Sequence, residues 1–282
     1  MSNTVRVAAV QLSSGADSQS NVESAITMVH EAADQGATYV QLPEYFNYLG
    51  PAQGFESAAE TVPGPTTDRM GEVARSLGVT VHLGSLLERT PDPRKAFNTS
   101  VVIDRTGAIV ATYRKAHLFD VDVPGAIVHR ESDVIAPGDE LAVAQLPGWR
   151  LGLSICFDVR FPEMYRELVA SGAQVLAIPA AFNASTGRAH WDVIVRSRAI
   201  ENHAYVVAAA QVGSTPEGID TYGHSLIVDP WGVVIAEALS HGPEVLLAEL
   251  DMDEVARRRA QIAVMDFRRP RLYGMPVRIF AE

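Results

Sequence analysis

Residues 151–155 read LGLSI, CFDVRFPE follows at 156–163, a stretch of helical spacing runs near 163–171, and a second apolar run, VLAI, occupies 175–178. A longer helical stretch at 191–202 then leads into YVVAAA at 205–210. Short apolar runs separated by helix-length amphipathic segments mark βαβ units, whose parallel strands need a crossover helix. Pro162 stands where it can open the helix, because a proline at the first helical position forfeits no hydrogen bond. The pattern continues outward in both directions. VRVAAVQL at 5–12 reads as a buried strand, and Ser20 and Glu23 have capping-box spacing for a helix to about Gln35. A short strand at 38–42 is halted by Pro43, a helix runs from about 67 to 77, and a strand covers 80–87. Residues 44–65 read as a long irregular segment broken by Gly50-Pro51 and Pro63-Gly64-Pro65.

Two hairpins add antiparallel pairing. Runs at 100–103 and 108–113 flank DRTG, and runs at 225–228 and 233–237 flank DPWG. Further strands at 141–146 and 245–250, with a short Arg-rich helix at 254–261, bring the strand count to about twelve. That is many for one sheet covered on both faces. Two packed sheets with helices outside, a layered α/β sandwich, fit better. No repeat, linker or boundary divides the 282 residues, so one domain is expected.

The composition is that of a globular protein, 47% hydrophobic and 20% charged, which excludes disordered and collagen-like classes. A net charge of −11 disfavours nucleic acid and anionic membrane surfaces as partners. No basic leader with a long apolar run and no apolar stretch of membrane length is read, so a cytoplasmic location is expected. One cysteine, Cys156, allows no intrachain disulfide. Only two lysines occur, Lys95 and Lys115, so a lysine marks a place that wants a compact ammonium. Lys95 lies in a proline-interrupted loop and Lys115 is the informative one.

Cys156 ends an apolar run just before a sharp turn and a helix, a placement that exposes a nucleophile and favours a thiolate. The residues around it do not make a serine elbow, since Cys156 stands where G-x-S-x-G needs its last glycine. His129-Arg130-Glu131 lacks the downstream cysteine pair of a zinc deaminase, no H-E-x-x-H occurs, and neither nucleotide-binding glycine motif is present. No metal or cofactor is therefore expected. Glu44 (LPEYF) and Lys115 (TYRKAH) each follow a strand, as Cys156 does, so the three could converge on one face of a sheet.

LPEYF, YRKAHLFD and SICFDVRFPE, in this order and at these separations, resemble the Glu, Lys and Cys motifs of the nitrilase (carbon–nitrogen hydrolase) superfamily, over almost the whole chain. PAAFNASTGRAHWDVIVRSRAIENHAYVVAAAQ, YGHSLIVDPWG and FRRPRLYG are similar to its amidase branch, which holds deaminated glutathione amidase and omega-amidase. The resemblance implies a four-layer α-β-β-α sandwich and cofactor-free hydrolysis of a small carboxylated amide through a thioester. It implies Cys156 as nucleophile, Glu44 as general base and acid, and Lys115 with the Phe157 N–H as oxyanion donors. Glu131 matches a second glutamate that orients Lys115 or assists the water. Tyr45, Phe182, Asn183 and Thr186 match substrate-lining positions. Arg188 replaces a proline of animal relatives and either holds a substrate carboxylate or points to solvent. Arg160 either anchors a carboxylate or pairs internally with Asp158. His224 with Tyr222 leans towards deaminated glutathione over 2-oxoglutaramate. A nitrile, carbamoyl or simple amide substrate, or a non-catalytic scaffold, are the alternatives. The resemblance also implies a homodimer, with the helix at 191–202 and the tail at about 262–282 at its interface.

Overall fold

The computed structural model describes residues 3–123, 127–214, 218, 220–239 and 241–275. Two large sheets form its centre. In the first, strands Glu244–Asp251, Thr4–Gln11, Tyr39–Gln41, Thr80–His82, Ala96–Ile103 and Leu86–Arg89 lie side by side, with Ile109–Arg114 and Ile135–Ala136 also paired to Ala96–Ile103. In the second, the order is Val143–Leu146, Trp149–Gly152, Val175–Ala177, Tyr205–Ala208, Leu226–Val228 and Val234–Glu237. Parallel pairs join Thr4–Gln11 to Tyr39–Gln41 and Trp149–Gly152 to Val175–Ala177, and the two expected hairpins are antiparallel.

Strand alternation explains the layering. Val7 and Ala9 pack into the core shared with the second sheet, whereas Ala8 and Val10 join the core under helices Ser18–Asp34 and Pro65–Leu77. Helices Pro162–Ala170 and Ala184–Asn202 supply Tyr165, Leu168, Trp191 and Val195 to the core of the second sheet. The result is the α-β-β-α sandwich. A polar thread crosses between the sheets, where Gln41 Nε2 donates to the Val207 carbonyl at 2.9 Å and Tyr39 Oη meets His82 Nδ1 at 3.1 Å. Burial pushes the His82 imidazole down to about 3, so it is neutral there.

Several boundaries differ from expectation. The first helix starts at Ser18, capped by Asp17, because the Asp17 carboxylate accepts the Ser20 N–H; Asn21 instead ties Gly15 to Asn47. The strand expected at 80–87 is two strands. They break at Gly84, where φ is +62° and a Cβ would meet the Pro43 carbonyl oxygen at 2.1 Å, so only glycine fits. The helix expected from Trp191 begins at Ala184, capped by Asn183. Gly187 is no breaker there; a Cβ would meet Tyr222 Cγ at 2.4 Å, so it permits close packing. Strand Trp149–Gly152 ends before Cys156, which opens a 3-10 turn, Cys156–Arg160. Hairpin strands Asp120–Val123 and Ile127–Arg130 were not expected, nor were Val212–Ser214 and Asp220–Tyr222. Residues 276–282 of the expected interface tail lie outside the described residues.

Candidate active site

Glu44, Lys115, Glu131 and Cys156 come from four separate segments and meet at the floor of one cavity of about 520 Å³. Each is nearly fully buried, with exposures of 2%, 2%, 4% and 7%. Glu44 lies three residues past Tyr39–Gln41, and Gln211 Nε2 holds its carbonyl at 3.0 Å. Lys115 follows Ile109–Arg114 directly, its own N–H bonded to the Asn98 carbonyl at 2.9 Å. Glu131 opens a 3-10 turn after Ile127–Arg130. Cys156 donates its N–H to the Pro179 carbonyl at 2.8 Å and has φ of +46°, a left-handed conformation unusual outside glycine. Such strain is found where surrounding structure enforces it. Asp158 enforces it here, since its Oδ2 takes the Ile155 N–H at 2.8 Å.

The ammonium of Lys115 is shared between the two carboxylates. Its Nζ donates to Glu44 Oε1 at 2.8 Å and to Glu131 Oε1 and Oε2 at 3.0 and 2.9 Å. Glu131 also accepts Tyr45 Oη at 2.8 Å and the Phe119 N–H at 2.6 Å, which leaves its oxygens fully engaged. Glu44 Oε2 accepts the Ala181 N–H at 2.7 Å, and the Cys156 thiol lines the same cavity floor. Two carboxylates, one ammonium and a neutral thiol carry a net charge of −1.

The electrostatics follow from burial and these neighbours. Burial and the Glu44 charge push the Cys156 thiol well up, against the opposing pull of Lys115. Burial works against the Lys115 ammonium, but Glu131 and Glu44 outweigh it and raise its pKa well above the ordinary lysine range. For Glu131, burial favours the neutral acid, yet Lys115 and the Phe119 N–H prevail and hold the carboxyl below its usual range. The resting state is therefore a thiol beside a carboxylate base, with an ammonium locked in place.

Above this floor, Tyr45, Phe157, Phe182, Asn183 and Thr186 line the cavity. Tyr45 lines it while bound to Glu131. Arg188 does not line it and is exposed. Helix Ala184–Asn202 already includes Thr186, and two residues on, a turn of about 200° carries Arg188 to the opposite side. Arg160 does line the cavity, and the internal pair with Asp158 is not formed. Its guanidinium lies 5.2 Å from the Phe182 ring and 5.8 Å from Phe157, with His190 Nδ1 at 3.4 Å. Asp158 is instead filled by Tyr113, His117 and Ile155.

Sequence reasoning missed five contributing residues. Tyr48, Leu49 and Phe55 of the irregular segment form an apolar wall, and Phe119 stands edge-on to Phe157 at 5.2 Å. Asn98, buried in Ala96–Ile103, donates to both carboxylates, at 2.9 Å to Glu44 Oε1 and 3.4 Å to Glu131 Oε1. Its signal was an amide inside a strand, two residues from Ser100 and four from Val102 on one strand face.

The sequence model of the carbon-nitrogen hydrolase family matches residues 6–260. Deaminated glutathione amidase of Bos taurus is 41% identical over 273 residues, covering 95% of this chain and 83% of the relative. Omega-amidase NIT2 of Homo sapiens is 39% identical over 275 residues, covering 97% and 98%. The solved structure of the C. elegans NitFhit protein superposes with a TM-score of 0.90 at 38% identity, over 96% of this chain and 66% of that longer one.

Proposed function

The chain belongs to the carbon–nitrogen hydrolase family and is a hydrolase of non-peptide carbon–nitrogen bonds, and from that premise we propose that Cys156 carries out amide hydrolysis through a thioester. The observation that carries this reading is the meeting of Cys156, Glu44 and Lys115 in one buried cavity, with Lys115 Nζ 2.8 Å from the Glu44 carboxylate. As Sγ attacks the amide carbon, its proton passes to Glu44, so the site keeps its charge throughout. The negative charge that develops on the carbonyl oxygen falls to Lys115 and to the Phe157 N–H, which lies in the first positions of the 3-10 turn and has no acceptor within it. Glu44 returns the proton to the leaving ammonia, then takes one from the water that cleaves the thioester. Glu131, its oxygens already occupied, positions Lys115.

The substrate class we propose is a small 2-oxo-acid amide bearing a carboxylate, with deaminated glutathione ahead of 2-oxoglutaramate. Three features support it. The relatives' names include both activities, the cavity of about 520 Å³ is of the size that holds a drug-sized ligand, and Arg160 offers a cation on its wall. A cytoplasmic location is proposed on the sequence expectation alone; separately, among the described residues no helix is long and apolar enough to cross a membrane. It acts as a homodimer, for which Val193, Ile200, Trp231 and Val233 supply exposed apolar surface.

The test is ammonia release from deaminated glutathione, 2-oxoglutaramate, glutamine, an N-carbamoyl amino acid and a nitrile, with Cys156→Ala as control. Turnover of a 2-oxo-acid amide that vanishes in Cys156→Ala is expected. Turnover that survives in Cys156→Ala, or only with the nitrile, overturns the proposal.

A further inference from the structure

Counting acceptor positions around Glu44 leads to a role for Asn98 that rests on the reading of Glu44 as the base. A carboxylate offers about two lone-pair positions on each oxygen. Oε1 of Glu44 accepts Lys115 Nζ at 2.8 Å and Asn98 Nδ2 at 2.9 Å, which fills it. Among the described residues Oε2 accepts the Ala181 N–H at 2.7 Å alone, which leaves one position open on that oxygen. The second hydrogen of Asn98 Nδ2 points to Glu131 Oε1 at 3.4 Å, so one amide group spans both carboxylates.

The other end of the same side chain is the second observation. Asn98 is fully buried, and among the described residues its Oδ1 has no hydrogen-bond partner. An unsatisfied buried carbonyl is unfavourable, and an apolar residue of similar size would avoid it. Turning the amide over would set Oδ1 against two carboxylates. The side chain is therefore held for its donor group.

We infer that Asn98 is a positioning residue that determines which oxygen of Glu44 takes the proton, closing Oε1 and leaving Oε2 for the Cys156 thiol. Lys115 completes the arrangement. Its three N–H groups face three carboxylate oxygens in the resting site, so none is free for a substrate oxyanion. Protonation of Glu44 weakens it as an acceptor, and the Lys115 N–H it held then turns to the oxyanion as that charge forms. The Sγ–H bond breaks, the Oε2–H bond forms, and the sulfur electron pair makes the bond to carbon. Asn98 keeps Oε1 engaged through this exchange.

The test uses Asn98→Leu and the isosteric Asn98→Asp in the full-length chain. Each is measured as ammonia release per site that titrates with iodoacetamide, across pH. Besides Asn98, the groups facing Glu44 are Lys115, Glu131, Cys156 and Tyr45, and all remain in both variants. For Asn98→Leu, kcat per titrated site falls on the order of 10²-fold, KM stays within about threefold, and the acid limb of kcat/KM moves to higher pH. The direction follows from removing a donor that favours the ionised carboxylate. For Asn98→Asp, activity recovers partly at low pH, where a protonated acid can donate in place of the amide. A merely structural role would lower melting temperature and titratable sites while leaving kcat per site and the limb unmoved, and that outcome overturns the inference. Should Asn98→Leu not fold, a wild-type pH profile in Asn98→Asp overturns it equally. If Cys156→Ala retains turnover, the reading of the whole site fails and this inference with it; if only the Asn98 variants behave as wild type, this inference fails alone.

Discussion

Two buried charged clusters lie within two residues of each other along the chain at both contact points, and they have opposite characters. Lys115 belongs to the cluster with Glu44 and Glu131, while His117 belongs to the one with Asp158 and Tyr113. Cys156 borders the first, and Asp158 builds the second. In the second, every acceptor position of Asp158 is filled. Oδ1 takes the His117 N–H at 3.1 Å and Nδ1 at 2.7 Å, and Oδ2 takes Tyr113 Oη at 2.7 Å and the Ile155 N–H at 2.8 Å. In the first, Glu44 retains an open position beside a thiol. A saturated buried carboxylate braces the backbone, and one that is a donor short can take a proton. The same residue type thus serves stability or chemistry according to how completely its neighbours satisfy it.

The largest effect should separate the clusters most sharply. Cys156→Ala should lower turnover on the order of 10⁴-fold or more and leave the thermal transition close to wild type. Asp158→Asn should reverse the balance, because an amide must present N–H groups to two of the four donors. A loss of about 3 kcal/mol in unfolding free energy is expected, read from urea titration. Equal stability losses in the two variants would remove the distinction.

A smaller effect sharpens it by pH. The Cys156 thiol has a folded pKa raised above its ordinary value of 9.0, so the native state binds this proton more tightly than the unfolded chain does. Its contribution to stability is complete below about pH 9 and is lost as pH rises further. Cys156→Ala should therefore lose less melting temperature than wild type between neutral pH and pH 10. The Asp158 cluster holds no such thiol, so Asp158→Asn should show a wild-type alkaline slope. A steeper alkaline decline in Cys156→Ala would contradict the direction of the shift.

The comparison also shows what the sequence could reveal. Glu44, Lys115 and Cys156 each sit where a strand pattern stops, and breaks in local periodicity are visible in one dimension. The layered sheets were visible for the same reason, since alternation in 5–12 and the hairpin turns are local. The brace was not. Asp158 and Arg160 are neighbours with opposite charge, so an internal pair looked natural, but Tyr113 and His117 arrive from more than 40 residues away and occupy the carboxylate first. Asn98 was hidden likewise, because its partners lie 54 and 33 residues away. The wall made by Tyr48, Leu49 and Phe55 comes from a segment whose glycines and prolines erase any period. Donor and acceptor counts are tertiary quantities, and composition cannot supply them.

The same count applied to the arginines gives the smallest and most selective prediction. Arg114 is satisfied: its Nε and Nη2 grip Glu88 at 2.9 and 2.6 Å, and its guanidinium lies 4.1 Å from the Phe97 ring. Arg160 has only aromatic faces and His190 at 3.4 Å, and among the described residues no carboxylate pairs with it. A guanidinium whose forked donors are left unmatched on a cavity wall can hold a ligand carboxylate in two parallel bonds. Arg160→Met preserves much of the aliphatic packing against Phe182 and removes those donors. It should raise KM about tenfold, which is roughly 1.4 kcal/mol, for a carboxylated amide and leave KM for an uncharged amide within about twofold. Arg188→Ala, exposed and facing away from the cavity, should change neither. An equal rise in KM for both substrates in Arg160→Met would mean that the residue shapes the wall without reading charge, and the satisfied-versus-open criterion would then hold for the carboxylates alone.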